Sequence, residues 1–345
     1  MEILQDAFER KIDYIRISVT DRCNFRCNYC QPEGGFVPMN HSDLLTYEEI
    51  EHLCRLFAKL GIRNIKLTGG EPLVRKGVVS LVKKLHHIDG IRQVTMTTNG
   101  SLLAEHLADL KAAGLDGVNI SLDTLNPKRF EQVTSVDALA NVIDAIHCVV
   151  DVGIPSVKIN CVPMPDMTEK EIWELAAFAK EKAIQVRFIE MMPIGSGKDH
   201  AGVREQEIRT IIEEQYGELK PIDTVLGNGP ACYYQPKGFA GHIGFISAMS
   251  HKFCDKCNRI RLTSDGILKP CLQYAGALDL KKLLRDGTTD EEMIRIIKQA
   301  IQKKPECHQF QAYEETCKTK GTIDDEYEPC SGEKLEERMM SGIGG

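Results

Sequence analysis

Tyr14-Ile15-Arg16-Ile17-Ser18-Val19-Thr20-Asp21-Arg22-Cys23 is the stretch on which the fold turns. Its first six residues alternate strictly, with Ile15, Ile17 and Val19 on one side and Arg16 and Ser18 on the other. That is the period-two pattern of a β-strand with one apolar face. The pattern recurs at Asn64–Thr68, Gln93–Thr97, Gly117–Leu122, Ser156–Val162 and Gln185–Glu190, giving six strands in all. Helical stretches separate them. Thr46 with Glu49 forms a capping box ahead of the stripe Ile50, Leu53, Cys54, Phe57 and Leu60, and Gly61 ends that helix. Thr168 with Glu171 repeats the device before the sixth strand. Repeated βα units require a parallel sheet.

The polar faces of these strands decide which parallel sheet it is. Arg16, Lys66, Lys158 and Arg187 put a cation on four of the six, beside Thr95, Thr97, Asn119, Ser121 and Asn160. A sheet covered on both sides reads as nearly continuous apolar runs, and a filled eight-stranded barrel packs its interior with Val, Ile and Leu. This chain does neither. The expected fold is therefore α/β, an incomplete (βα)6 TIM-type barrel with a C-terminal α+β cluster-binding domain. Its lumen should be a cationic chamber for an anionic ligand.

The barrel is expected over residues 1–192 and a glycine-rich linker or lid over 193–202. A C-terminal domain follows over 203–310, then a polar tail over 311–345. Val203–Tyr216 and Asp279–Lys303 read as helical, Ala231–Ile246 as short strands, and Arg259–Leu268 as a hairpin turning at Asp265-Gly266. With 345 residues, 42% of them hydrophobic, the chain can bury a large core. A net charge of −7 argues against a general nucleic-acid surface. Met1–Lys11 lacks an apolar leader, and no stretch approaches the roughly 18 apolar residues of a membrane span. The expectation is a cytoplasmic protein with neither membrane nor nucleic acid as a partner.

In such a reducing compartment thirteen cysteines point to metal ligands, reactive groups or buried apolar residues, not disulfides. Six form two triplets: Cys23, Cys27 and Cys30, then Cys254, Cys257 and Cys271. A cubane iron-sulfur cluster normally takes four thiolates, so three leave one iron open to a small molecule. The first triplet follows the first strand at its C-terminal end, where βα barrels place their chemistry. Its competing reading is a zinc site completed by a residue such as His41, or a redox pair.

The run Cys23-Asn24-Phe25-Arg26-Cys27-Asn28-Tyr29-Cys30 resembles the signature of radical S-adenosylmethionine (SAM) enzymes. Gly69-Gly70-Glu71-Pro72 after the second strand is similar to that superfamily's second motif. The resemblance implies that the open iron chelates the amino and carboxylate groups of SAM.

The second triplet has a stronger competitor, because His251 precedes Cys254 by one short step and could complete a zinc site. The hairpin is expected to bring Cys271 back beside Ile260, and to project Arg259 and Arg261 from one face. Paired guanidiniums suit phosphate or purine-edge recognition, which a structural zinc site does not need. Phe253-Cys254-Asp255-Lys256-Cys257-Asn258-Arg259-Ile260-Arg261-Leu262 with Cys271 resembles the cluster motif of the GTP 3′,8-cyclase family. The terminal Ser341-Gly342-Ile343-Gly344-Gly345 is similar to that family's double-glycine tail.

This resemblance implies two 4Fe-4S clusters, SAM as cofactor and GTP as substrate. It implies SAM contacts at Tyr29, Gly70, Ser121 and Met192, and GTP contacts at Arg16, Lys66, Thr97, Lys158, Arg187, Arg259 and Arg261. Arg259, Arg261, Gly344 and Gly345 are the implied catalytic contributors. The implied reaction starts molybdenum cofactor biosynthesis: hydrogen leaves ribose C3′, and that carbon then joins guanine C8. An external one-electron donor, a downstream pterin synthase and a homodimer are implied as partners.

Lys66 departs from the family's frequent arginine, and residues 311–337 look like an extra polar segment. Cys307, Cys317 and Cys330 could suggest a third metal site, although their wide, irregular spacing favours incidental thiols; Cys54 belongs to a helix stripe, and Cys148, Cys161 and Cys232 carry no ligand spacing. Two alternatives stand beside this reading: a peptide-modifying radical SAM enzyme with an auxiliary cluster, and a zinc-binding scaffold.

Overall fold

The computed structural model describes residues 3–31, 37–224, 226–276, 278–311, 335–336, 338 and 340–343. Six parallel strands alternate with helices: β1 Tyr14–Ser18, β2 Asn64–Thr68, β3 Gln93–Thr98, β4 Gly117–Ser121, β5 Ser156–Cys161 and β6 Gln185–Ile189. The intervening helices are α1 Tyr47–Lys59, α2 Val78–His86, α3 Leu103–Ala112, α4 Pro127–Thr134, α5 Leu139–Val152 and α6 Glu169–Glu181. Both capping boxes form, on Thr46 with Glu49 and on Thr168 with Glu171. The strands lie within a residue or so of their expected bounds, because each carries its own alternation and turn signals.

The C-terminal part supplies α7 Glu205–Tyr216, β7 Lys220–Pro221, β8 Cys232–Gln235, β9 His242–Ile246, β10 Arg259–Leu262, β11 Ile267–Lys269 and β12 Leu278–Asp279. It ends in α8 Leu280–Arg285, α9 Asp290–Gln302 and the short α10 Met340–Ile343. Its strands do not make a sheet of their own. The order is β12-β11-β10-β1-β2-β3-β4-β5-β6-β9-β8-β7, so they extend the barrel sheet at both edges. β10 joins β1 and β9 joins β6, each in parallel. Such long-range parallel pairing leaves no local signal, so the sequence showed the strands but not their partners.

Two local expectations change. Asp279–Lys303 is two helices, broken where Gly287 takes a φ of +78°. In the hairpin Arg261 faces Lys269 and Leu262 faces Leu268, a register that carries Cys271 opposite Arg259, not Ile260. Gly266, at φ +89°, makes that turn and so fixes the register.

The apolar strand faces, including Ile15, Ile17, Leu67, Met96, Ile120, Ile159 and Val186, merge with the helix stripes into one core. Ile50, Leu53, Cys54 and Phe57 of α1 are fully buried in it, which places Cys54 as a core residue. A second, smaller cluster joins Ile194, Ala248, Met249, Phe310 and Ile343. Among the described residues, no single helix is long and apolar enough to cross a membrane.

Candidate active site

The polar strand faces line one cavity of about 370 Å³. Arg16, Lys66, Thr97, Asn119, Ser121, Lys158 and Arg187 all reach it, as their alternation requires. Arg259 and Arg261 join them because β10 continues the sheet beside β1 in register, Arg261 level with Arg16.

These cations are held close to one another. Burial drives the Lys66 ammonium well below its usual range, and the charges of Arg187, Arg16 and Lys158 push the same way. Burial followed by Arg187 lowers Lys158 to about 8. Arg16 and Arg261 are lowered first by burial, then by neighbouring guanidiniums, with Tyr14 acting in the opposite sense on both. Neutral acceptors hold several of them in place. Lys158 donates to the Leu226 carbonyl at 2.8 Å, and Arg187 Nε donates to Asn160 Oδ1 at 2.9 Å. The Asn119 amide oxygen, turned to the lumen, accepts from Lys66 Nζ at 2.6 Å and from Arg187 at 2.9 Å. Crowded, desolvated cations on neutral tethers store repulsion that a polyanion relieves.

Cys23, Cys27 and Cys30 form one part of the wall beyond the C-terminal end of β1. Their loop is pinned by Gly70, whose amide donates to the Thr20 carbonyl at 2.8 Å, and by the Glu71 amide, which donates to the Arg22 carbonyl at 2.8 Å. A Cβ on Gly70 would land on the Arg22 carbonyl, so glycine is needed for the loop to approach. Gly69-Gly70-Glu71-Pro72 is thus a tight turn that packs directly on the first cysteine loop. The Glu71 carboxyl is fully buried and pushed up to about 7, although it accepts from the amides of Asn99 and Leu73 and from the Thr98 hydroxyl.

The Phe25 amide donates to Cys23 Sγ at 3.3 Å, and the Asn99 side-chain amide lies 3.8 Å from it. Burial raises the Cys27 thiol well above its usual value, and its neighbours Cys30, Asp123 and Cys23 add to the rise. Three cysteines share this cavity wall, Cys23 served by two N–H donors, and among the described residues they are not drawn together tightly enough for a single metal ion, so a larger cluster taking them as thiolates suits them better. Tyr29 donates to Asp123 Oδ2 at 2.7 Å at the same wall, with Ser121 and Met192 close by in the lining.

Residues 247–258 run from the C-terminal end of β9 to the N-terminal end of β10, across the gap between the sheet's two parallel edges. They carry Cys254 and Cys257 into the cavity wall, where Cys271 meets them. Since β10 starts level with Tyr14, the two triplets are offset by roughly the length of β1, on the order of 15 Å at 3.3 Å per residue. The cationic lumen lies between them. Burial would raise the Cys257 thiol, but Lys304, Arg259 and hydrogen bonds from Arg259 hold it at about 7. Lys304 is itself buried and donates to the carbonyls of Arg259 and Pro270, clasping both hairpin strands.

His251 does not join the triplet. Its ring is largely exposed and sits 3.3 Å from Glu205, so the three-cysteine, one-histidine zinc site is not built. His41 likewise lies apart, in a short turn that is absent from the cavity wall.

Sequence spacing missed several lining residues. Asn99 and Asp123 follow strand ends and could have been suspected from position alone. Phe253, His308, Phe310 and Met340 reach the cavity only through tertiary packing. α10 lies against β1 and Met340 enters the lining, whereas Gly344 and Gly345, like Cys317 and Cys330, lie outside the described residues. Cys307 is close enough to Cys254 to affect its thiol but lines no part of the cavity.

Comparison with known proteins accords with this geometry. Residues 17–179 match the Radical SAM superfamily model and residues 184–310 the Molybdenum Cofactor Synthesis C model. A GTP 3′,8-cyclase of Clostridium perfringens (strain 13 / Type A) is 43% identical over 311 residues, covering 90% of this chain and 96% of the relative. Another, from Pelotomaculum thermopropionicum, is 44% identical over 308 residues, covering 88% and 95%. Among solved structures, Streptococcus suis SuiB bound to S-adenosylmethionine aligns with a TM-score of 0.57 at 16% identity, covering 82% of this chain and 68% of SuiB. The same protein bound to its precursor peptide SuiA gives 0.58 at 16% identity, covering 90% and 73%. At that identity the likeness to SuiB is one of fold. With two family models end to end and relatives matched over nearly their full length, the chain belongs to the GTP 3′,8-cyclase family of radical SAM enzymes.

Proposed function

We propose that this protein cyclises GTP to (8S)-3′,8-cyclo-7,8-dihydroguanosine 5′-triphosphate, the first committed product of molybdenum cofactor biosynthesis. One observation carries the reading: Arg16, Lys66, Lys158, Arg187, Arg259 and Arg261 line a chamber between two cysteine triplets. A nucleoside triphosphate whose ribose faces a SAM-cleaving centre and whose base faces the other centre, with its phosphates on the cations, fits that chamber, and the charge density suits a triphosphate better than a peptide.

Cys23, Cys27 and Cys30 would hold a 4Fe-4S cluster, and Tyr29, Gly70, Ser121 and Met192, which line the same cavity, would hold SAM. Together, when bound, these groups supply one-electron cleavage of the sulfonium and so a primary carbon radical able to take hydrogen from ribose C3′. The rest falls to the chain's own side chains. Lys66, Lys158 and Arg187 take phosphate oxygens, with Arg16 and Thr97 beside them. Arg259 and Arg261 reach the nucleoside end, where they assist closure of C3′ on C8. Cys254, Cys257 and Cys271 would hold a second 4Fe-4S cluster, and with three protein thiolates it would supply a coordination position for the base end of the substrate. Phe253, Leu272, Phe310 and Met340 supply an apolar wall that excludes water from a radical able to attack almost any C–H bond.

The catalytic part that the resemblance gives Gly344 and Gly345 falls on residues outside those described, and backbone without side chains suits close approach to a substrate. Functionally the chain divides into the barrel (1–192), a lid (193–202), the cluster and substrate domain (203–310) and the tail (311–345). External one-electron reduction supplies two electrons per turnover, one to cleave SAM and one that, with a proton, quenches the radical left on the purine after C3′ joins C8. The protein works in the cytoplasm as a homodimer and hands its product to a pterin synthase. Anaerobic protein incubated with a reductant, SAM and GTP tests this directly. The cyclised nucleotide should appear with one 5′-deoxyadenosine per turnover, and 5′-deoxyadenosine without loss of GTP would remove the substrate assignment.

A further inference from the structure

His308 is 5% exposed, and among the described residues neither of its ring nitrogens has a hydrogen-bond partner. Buried polar groups are almost always satisfied, so an imidazole with both nitrogens open is either costly or kept for a ligand. Its position favours the ligand. The ring lines the cavity, and the backbone amide of the same residue donates to Cys254 Sγ at 3.5 Å. Phe310 stacks on one face at 4.3 Å and Phe253 meets the ring edge-on at 6.4 Å. These contacts fix the plane of the imidazole at the chamber wall, where both nitrogens are shielded from solvent in the ligand-free protein.

Imidazole carries a donor and an acceptor on opposite nitrogens, which complements the mixed donor and acceptor edge of a purine and not the all-acceptor surface of a phosphate. The phosphates already have the lysines and arginines. We propose that His308 is a further substrate-binding residue, hydrogen-bonding the guanine base where it meets the second cysteine triplet and so selecting the base. This rests on the reading of GTP as substrate.

His308→Phe keeps an aromatic ring against Phe310 and removes both polar atoms. In the cluster-loaded enzyme it should weaken GTP binding about ten- to hundredfold, the range for losing a buried hydrogen-bond partner. Binding of inorganic tripolyphosphate, SAM binding and iron content should stay unchanged, and His308→Gln should retain most of the GTP affinity. Unchanged GTP binding would overturn the proposal. So would equal weakening of tripolyphosphate, or loss of iron, which would make His308 a support of the cysteine set. If the phenylalanine does not fold, His308→Leu gives the same comparison. A wild-type enzyme that binds tripolyphosphate but not GTP would instead overturn the parent reading before any variant is compared.

Discussion

Lys158 Nζ donates to the carbonyl of Leu226 at 2.8 Å, tying the middle of β5 to the segment that crosses the N-terminal end of the barrel. Asn228 reinforces that crossing by donating to Gln93 Oε1 at 2.5 Å. The chamber is therefore bounded at this end by backbone, and one of its ammonium groups is the fastener, to which the proposed function adds contact with the anion.

That dual role makes anion binding depend on pH. Lys158 is lowered to about 8 in the free protein, by burial and then by Arg187, against an ordinary value of 10.5. Above pH 8 the free protein holds this group neutral, and a bound triphosphate draws a proton back onto it. Affinity should fall as pH rises from 8 towards 10, by up to about tenfold per unit for one linked proton. The same depressed value means that the unfolded chain binds more protons over that range, so this group's share of stability rises with pH there. Calorimetry of GTP binding near pH 8.5, in buffers of differing ionisation enthalpy, should show proton uptake. Lys158→Met should reduce the uptake, leaving the share of the likewise depressed Lys66, and weaken binding roughly ten- to hundredfold.

Gly70→Ala tests the seam between the second strand's turn and the first cysteine loop. The new methyl would meet the Arg22 carbonyl, which is backbone and cannot rotate away. Displacing it should cost about 1–3 kcal/mol or more and shift Cys23. Iron should fall by about half, with SAM binding lost and the second triplet's iron retained. Full iron occupancy with intact SAM binding would show that the seam yields.

Ile343→Asp tests the docked end of the chain. Ile343 is fully buried with Phe310, Ala248 and Met249, and burying a carboxylate there costs several kcal/mol. Undocking should abolish cyclisation and loosen the second cysteine set, because Phe253 and Leu272, the neighbours of Cys254 and Cys271, pack on the same cluster, while the first triplet's iron persists. The midpoint of global unfolding should change little, since the main core is a separate cluster.

The barrel and its cationic lumen were legible because alternation within a strand is local: Arg16, Lys66, Lys158 and Arg187 announce their face by their immediate neighbours. The joining of β10 to β1 was not, since parallel partners more than two hundred residues apart share no turn. Yet that pairing brings Arg259 and Arg261 beside Arg16. The zinc alternative at His251 stayed open in the sequence because spacing gives reach without direction, and only the turn towards Glu205 removes it. His308 and Met340 carry no motif, and only packing delivers them to the cavity.

Cys254→Ser separates the two centres. Iron and sulfide should fall from about eight per chain to about four, the contents of two cubane clusters and of one. Reductive release of 5′-deoxyadenosine from SAM should continue, while GTP affinity drops and no cyclised nucleotide forms. Loss of SAM cleavage in this variant would mean that the second triplet is not a separate base-binding centre.

The central claim is that two three-cysteine iron centres bracket a triphosphate chamber, and the most direct measurement is a substrate-dependent spectrum of the second one. In the Cys23→Ser variant, which keeps only Cys254, Cys257 and Cys271 as a complete set, guanine-labelled (15N) GTP should give hyperfine coupling between the reduced cluster and a base nitrogen. Coupling there, lost with tripolyphosphate alone, is the predicted result. A cluster that is absent, or one whose spectrum does not respond to GTP, would contradict the account.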